Sequence, residues 1–294
     1  MQSLTPLPAK TSVLGVGVSR ADYGQVLRLT REWIDQKRAW ESNEALAGKP
    51  PPARYAAILT VHSVMTAFFD PALRSVLNQA TLGTSDGMPL VWAARSFGVR
   101  GQRRVYGPDL MLALCGQAQR VGHRIFLYGG REETLPVLCS RLLARFPKLQ
   151  IVGAYSPPFR PLTPAEDATC TEQIRSSGAD LIFCGIGMPK QERWMAEHQR
   201  QLSGSVLFGV GAAFDFHAGR VEQAPRWMQR SGLEWAFRLL MEPRRLWRRY
   251  VFLNPMFLAL WALQLAGLLR APLYPSQQPA SHQPASHQVR SGAK

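Results

Sequence analysis

Asp180-Leu181-Ile182-Phe183-Cys184-Gly185-Ile186-Gly187-Met188-Pro189-Lys190-Gln191-Glu192 carries the architecture of this chain in thirteen residues. Four consecutive apolar residues without polar alternation read as a strand buried on both faces, the habit of parallel sheets. Two glycines stop it, and Pro189 then stands where a helix begins, a position at which its missing N–H costs nothing. Lys190 and Gln191 fall in the first helical turn and reach back over the strand end, while Gly185 and Gly187 let the backbone approach a ligand closely. No third glycine completes G-x-G-x-x-G and no G-x-x-x-x-G-K-[ST] loop exists, so neither a dinucleotide fingerprint nor a P-loop is expected.

Working outward, comparable apolar runs at 55–60, 124–128, 151–155 and 205–210 join 180–184 as candidate strands. Helical spacing is read at 21–34, 108–121, 132–146, 164–176 and 189–202, and Pro71, Pro108, Pro164 and Pro189 each sit at a helix start. The alternation predicts βαβ units: an α/β sandwich with a mostly parallel sheet and helices on both faces. Gly209-Val210-Gly211-Ala212-Ala213-Phe214-Asp215 repeats the strand-to-glycine pattern, with tight strand–helix packing as the reading for Gly211.

The 294 residues, 46% of them apolar, suffice for one large or two small domains. A net charge of +15 attracts polyanions, whether nucleic acid, nucleotide-sugar phosphates or an anionic leaflet, without choosing among them. Cys115, Cys139, Cys170 and Cys184 stand singly, so neither disulfides nor a zinc site is expected. The first residues lack a basic n-region and an apolar h-region, which predicts no signal peptide and a reducing, cytosolic location.

The composition changes near residue 225. From Arg226 to Tyr250 there are seven arginines against two glutamates, interleaved with Trp227, Trp235, Trp247 and other large apolar residues, and residues 251–269 then carry no charge. Asn254, Pro255 and Gln264 argue against a span and for a helix lying in a membrane interface or packed on the core. The expected organisation is an N-terminal tail (1–12), an α/β catalytic domain (13–225), a basic and apolar appendage (226–272) and a disordered tail (273–294) with a duplicated Gln-Pro-Ala-Ser-His. Residues 42–53 read as a loop.

Several polar residues stand at ends of apolar runs. Asp86, before Gly87, could accept a proton from an incoming hydroxyl, although Asp-Gly is also a common turn dipeptide. Arg103 and Arg104 precede the helix start at Pro108, where free N–H groups and a guanidinium can converge on an anion, or simply form a surface pair. Thr60 and His62, alternate residues on an extended chain, would face the same side; His62 is a binding candidate. No D-x-D acidic pair occurs and His123, His198 and His217 offer no metal spacing, so no metal and no cofactor is expected.

Together, Asp86-Gly87, Arg104-Val105-Tyr106-Gly107-Pro108-Asp109, Gly187-Met188-Pro189-Lys190-Gln191-Glu192, Gly209-Val210-Gly211-Ala212-Ala213-Phe214-Asp215, Gly232-Leu233-Glu234-Trp235 and Glu242-Pro243-Arg244-Arg245 with Arg248-Arg249-Tyr250 resemble the WecG/TagA/CpsF glycosyltransferases, glycosyltransferase family 26. The resemblance implies a Rossmann-like, GT-E-like fold. It also implies an inverting, metal-independent transfer of a sugar (N-acetylmannosamine-type, uronic acid or hexose) from a UDP-sugar to a polyprenyl-diphosphate-linked saccharide in bacterial surface polysaccharide assembly, peripherally at the cytoplasmic membrane face. By that resemblance Asp86 is the catalytic base, Thr60, Gly187 and Gln191 line the donor pocket, and Arg104 faces phosphates or acceptor. Arg238, Arg244 and Arg248 belong to an appendage that docks on an anionic membrane and closes over the site. The family commonly reads Thr-x-Asn where this chain has Thr60-Val61-His62, a departure that a different donor sugar would account for. A homo-oligomer is left open. The rival, a basic nucleic-acid-binding protein without activity, lacks any zinc-finger, helix-turn-helix or RNA-recognition signature, and a nucleotide-dependent oxidoreductase lacks the glycine fingerprint.

Overall fold

A computed structural model describes residues 5–42 and 51–273. Most of the loop expected at 42–53, and all but the first residue of the tail expected at 273–294, therefore lie outside the described residues. The chain opens with an antiparallel hairpin, β1 (Lys10–Val13) and β2 (Val16–Ser19), which begins inside the segment expected to be a tail. Then follow α1 (Tyr23–Ser42), β3 (Arg54–Leu59), α2 (Val61–Phe69), α3 (Pro71–Gln79), β4 (Leu82–Ser85), α4 (Met88–Ser96) and α5 (Gly107–Val121). The second half adds β5 (Arg124–Gly129), α6 (Leu135–Arg145), β6 (Gln150–Tyr155), α7 (Pro164–Ser176), β7 (Leu181–Gly185), α8 (Lys190–Glu197), β8 (Val206–Gly209) and α9 (Ala213–His217). Three helices finish the chain: α10 (Arg226–Arg230), α11 (Glu234–Met241) and α12 (Pro243–Leu265).

Strands β3 to β8 form one sheet in the order β4-β3-β8-β7-β5-β6, parallel throughout. Because successive strand residues point to opposite faces, Tyr55, Ala57 and Leu59 of β3 enter one core with Val64, Met65, Leu77, Trp194 and Phe257. Ala56 and Ile58 enter the other, with Trp33, Leu110, Leu114, Leu138 and Phe214. The expected α/β sandwich with helices on both faces is what forms, and a helical C-terminal region follows it.

Local chemistry sets the boundaries. The strand expected to run to Thr60 stops at Leu59, because Thr60 caps α2 in a reciprocal capping box with Ser63. His62 therefore sits on the first turn of a helix, and the extended-chain argument that paired it with Thr60 does not hold. Asp70 and Thr163 cap α3 and α7, with Pro71 and Pro164 next to them. The helix expected over 189–202 ends at Glu197. Strand β4, which the sequence hid, is covered by the hairpin: Gly83 N–H donates to Ser19 Oγ at 3.0 Å, and a Cβ at Gly83 would lie 2.6 Å from the Gly17 carbonyl oxygen. Only glycine permits that approach.

At the amino ends of the strands the fully buried Asp180 is held by Lys37 (3.3 Å), Arg38 (2.7 Å) and Arg124 (3.2 Å). Burial alone would raise its carboxyl; the hydrogen bonds from Arg38 and Arg124 hold it well below the usual carboxylate range. This cluster locks α1 to the sheet at the opposite end from the site.

No described helix is long and apolar enough to cross a membrane. One face of α12 packs down: Phe257 is buried, Trp261 Nε1 donates to Ser96 Oγ at 3.0 Å, Gln264 Oε1 accepts from Leu14 N–H at 2.8 Å and Gln264 Nε2 donates to the Ser12 carbonyl at 3.2 Å. The other face leaves Val251, Phe252, Leu258 and Leu265 exposed.

Candidate functional site

Every strand of the sheet delivers its carboxyl end to one cleft of about 1070 Å³. Thr60 follows β3, Asp86 follows β4, Gly130 follows β5, Pro157 lies just beyond β6, Gly187 follows β7, and Val210 follows β8. The crevice at strand ends is where open parallel sheets take ligands. Helices α11 and α12 roof it with Glu234, Arg238, Arg245 and Arg249.

Asp86 emerges from β4 with its N–H donated to the Leu59 carbonyl at 2.8 Å, which fixes the loop between β4 and α4 against β3. Its side chain is 16% exposed. Burial is the main force on this carboxyl and raises it to about 6; Arg104 opposes the shift and Glu234 adds to it. Arg104 Nη2 donates to Asp86 Oδ1 at 3.2 Å and to Glu234 Oε2, Nε donates to the Asp86 carbonyl, and Nη1 donates to the Gln229 carbonyl at 3.1 Å. The guanidinium carbon also lies 4.2 Å from the centre of the Tyr106 ring. Arg104, expected to face phosphates or acceptor, lines the cleft, and four of its hydrogen bonds go to protein oxygens.

Across the cleft, Gln191 lies in the first turn of α8. Its Oε1 accepts from Gly187 N–H at 3.2 Å, and its amide packs on Gly209, where a Cβ would approach Nε2 to 2.8 Å. Beneath it Glu192 is 1% exposed, and burial pushes its carboxyl up to about 7. The Met188–Pro189 peptide at this turn is cis. Tyr128, Trp194 and His198 stack in a row along this wall, with centroids 4.1 Å and 4.4 Å apart.

His62 lines the cleft, and its Nδ1 is buried without a hydrogen-bond partner. Burial first, and Arg249 second, lower its pKa to about 3, so the imidazole is neutral. Arg238 Nε and Arg249 Nε are likewise buried and unpartnered among the described residues, and burial lowers the Arg249 guanidinium to about 10.

Thr60, His62, Asp86, Arg104, Gly187, Gln191 and Arg238 are thus brought together as cleft-lining residues. Arg244 and Arg248 are not: both are exposed on α12, Arg248 lying 5.3 Å from the Trp247 ring centre. Arg245 and Arg249 occupy the cleft in their stead. Both pairs have i, i+4 spacing; the buried stripe of Leu246 and Tyr250 turns Arg249 inward, while Arg245 borders the cleft from an exposed position and pairs with Glu242. Glu234 was missed as a site residue although it stands in the Gly232-Leu233-Glu234-Trp235 motif. Among the described residues no three His, Cys, Asp or Glu side chains come together in a way that would hold a metal ion.

Residues 11–271 match the model of the glycosyl transferase WecG/TagA/CpsF family. The chain is also 31% identical over 222 residues to the N-acetylglucosaminyldiphosphoundecaprenol N-acetyl-beta-D-mannosaminyltransferase of Bacillus subtilis strain 168, an alignment covering 75% of this chain and 78% of that protein. With nearly the whole described chain inside the family match and the motifs converging on one cleft, the protein belongs to the WecG/TagA/CpsF family and is a glycosyltransferase.

Proposed function

We propose that this enzyme moves a sugar from a UDP-sugar onto a polyprenyl-diphosphate-linked saccharide with inversion, as a step in bacterial surface polysaccharide assembly. The relative's name supplies the acceptor class and an N-acetylmannosaminyl donor. The observation that carries the mechanism is Asp86: a carboxylate at a strand end, in the cleft, with burial raising its basicity toward neutral pH.

Arg104 holds Asp86 Oδ1, and Oδ2 makes no hydrogen bond among the described residues. Oδ2 takes the proton of the acceptor hydroxyl as that oxygen attacks the anomeric carbon from the side opposite UDP. The C1–O bond to UDP breaks with its electron pair on the diphosphate. Arg238, Arg245 and Arg249 neutralise that charge, and their place in the lining of the cleft supports the assignment. Thr60, Gly187 and Gln191 shape the donor pocket, and the neutral His62 imidazole contacts the donor sugar.

The exposed apolar face of the last helices, with Trp247, Val251, Phe252 and Leu258 beside Arg244 and Arg248, docks on an anionic leaflet at the cytoplasmic side and brings the cleft to its lipid-linked acceptor. The test is to incubate the protein and bacterial membranes with a panel of radiolabelled UDP-sugars and follow label into the lipid fraction. Transfer by the native enzyme and none by Asp86→Asn is expected. Near-normal transfer by Asp86→Asn removes Asp86 as base, and no transfer from any UDP-sugar removes the donor class.

A further inference from the structure

Arg104 ties the Asp86 loop to the start of the C-terminal segment through a shared charge. It makes four hydrogen bonds, two within the Asp86 loop and two to residues of the last helices, the Gln229 carbonyl and the Glu234 carboxylate. Asp86 and Glu234 are each 16% exposed, so this is a half-buried cluster of two carboxylates on one guanidinium, with a net charge of −1.

We infer that Glu234 is a positioning residue for transfer: by sharing Arg104 with Asp86 it lets the guanidinium aim the Asp86 carboxylate without neutralising it. This rests on the reading of Asp86 as the base. An arginine paired to a single carboxylate stabilises the ionised form and makes a poor proton acceptor. Adding a second carboxylate restores the net negative charge that an incoming hydroxyl proton meets. The geometry extends the role. Glu234 opens α11, and Arg238 lies one turn further along the same helix, so the bond that clamps Arg104 also sets Arg238 in the cleft. The reacting centre is complete only when the segment after residue 225 is seated.

The groups facing Asp86 are Arg104 and Tyr106 from its own side, Tyr23 from α1, Glu234 and Arg238 from α11, and Arg249 from α12. Replacing Glu234 by a neutral isostere leaves Arg104 to Asp86 alone and removes a like charge, and both effects pull the Asp86 titration downward.

The full-length Glu234→Gln, Glu234→Asp and Asp86→Asn enzymes are compared in the lipid-transfer assay with UDP-N-acetylmannosamine, or the panel donor that supports transfer, and UDP affinity is measured by calorimetry. For Glu234→Gln, kcat falls on the order of tenfold and donor KM stays within about threefold. The acid limb of the kcat/KM profile moves to lower pH, and Glu234→Asp, which keeps the charge, retains the native limb. An unmoved limb with native kcat overturns the role, as does a loss confined to KM and UDP affinity. If Asp86→Asn keeps turnover while Glu234→Gln shifts the limb, the base assignment fails and the titrating group held by Glu234 is another one.

Discussion

The Gln191 amide donates to Glu192 Oε1 at 2.9 Å, so a cleft residue is oriented by a carboxyl group that the cleft itself does not expose. Glu192 Oε2 has no partner among the described residues. A buried acid in that position is favoured in its protonated form, and its neighbour carries the consequence into the cleft.

Glu192 therefore makes stability depend on pH. Its folded pKa, about 7, lies above the ordinary 4.5, so its contribution is fully present below pH 4.5 and is lost as pH rises through 7. Glu192→Gln, which mimics the protonated form, flattens the melting temperature against pH across that window. Glu192→Ala leaves the Gln191 Nε2 donor without this partner and costs about 1–3 kcal/mol. Thermal unfolding from pH 4 to 8 checks both.

Asp86 sets the acid limb of the reaction. A base must be ionised to work, and burial places this carboxyl near 6, so kcat/KM falls as pH drops through about 6 and levels above it. Asp86→Asn loses roughly 10²- to 10⁴-fold in kcat with its circular dichroism spectrum unchanged. A limb at the ordinary carboxylate position contradicts the burial argument.

His62 is a neutral imidazole that lines the cleft, with a buried Nδ1 that has no partner among the described residues. His62→Asn exchanges its shape and hydrogen-bond pattern while leaving Arg238, Arg245 and Arg249 intact. The expected outcome is a change on the order of tenfold in the ratio of kcat/KM between two UDP-sugars, with UDP affinity unaltered. Competition between paired labelled donors measures it.

The proposed membrane docking predicts separable apolar and charged parts. Trp247→Ala with Phe252→Ala reduces partitioning at any salt, because both side chains are exposed. Arg244→Ala with Arg248→Ala reduces it by about 1 kcal/mol per charge, and only at low ionic strength. Co-sedimentation with phosphatidylglycerol vesicles against neutral ones separates the two. Neither pair lines the cleft, so UDP binding is unchanged.

The parallel strands were legible because Leu181-Ile182-Phe183-Cys184 and its counterparts have no reason to be apolar except burial on both faces. Leu82-Gly83-Thr84-Ser85 gave no such signal: its hydroxyls and glycine are buried against a hairpin that no local pattern announces. The run from Tyr55 to Val61 concealed the change from strand to helix at Thr60, since the cap is a single hydroxyl and its partner at Ser63 is weaker than the usual glutamate. Gln191 and the glycine turns were legible as polar breaks after apolar runs, and Asp86 as the acid of an Asp-Gly turn. That Arg245 and Arg249 border the cleft rather than Arg244 and Arg248 was not, because helical spacing treats 244/248 and 245/249 alike until a buried stripe orients the helix.

The contacts of Gln264 with Ser12 and Leu14 join the two ends of the chain. A pairing that spans some 250 residues closes late, after the entropy of a long loop has been overcome, and on a ribosome it cannot close until α12 has been made. The hairpin that shields the β4 edge is already held by Asn78 and by Ser19 on Gly83, and it gains this last fastening from the same helix that exposes Phe252 and Leu258. A nascent chain stopped short of α12 would carry a seated sheet with an incompletely fastened hairpin and an unroofed cleft.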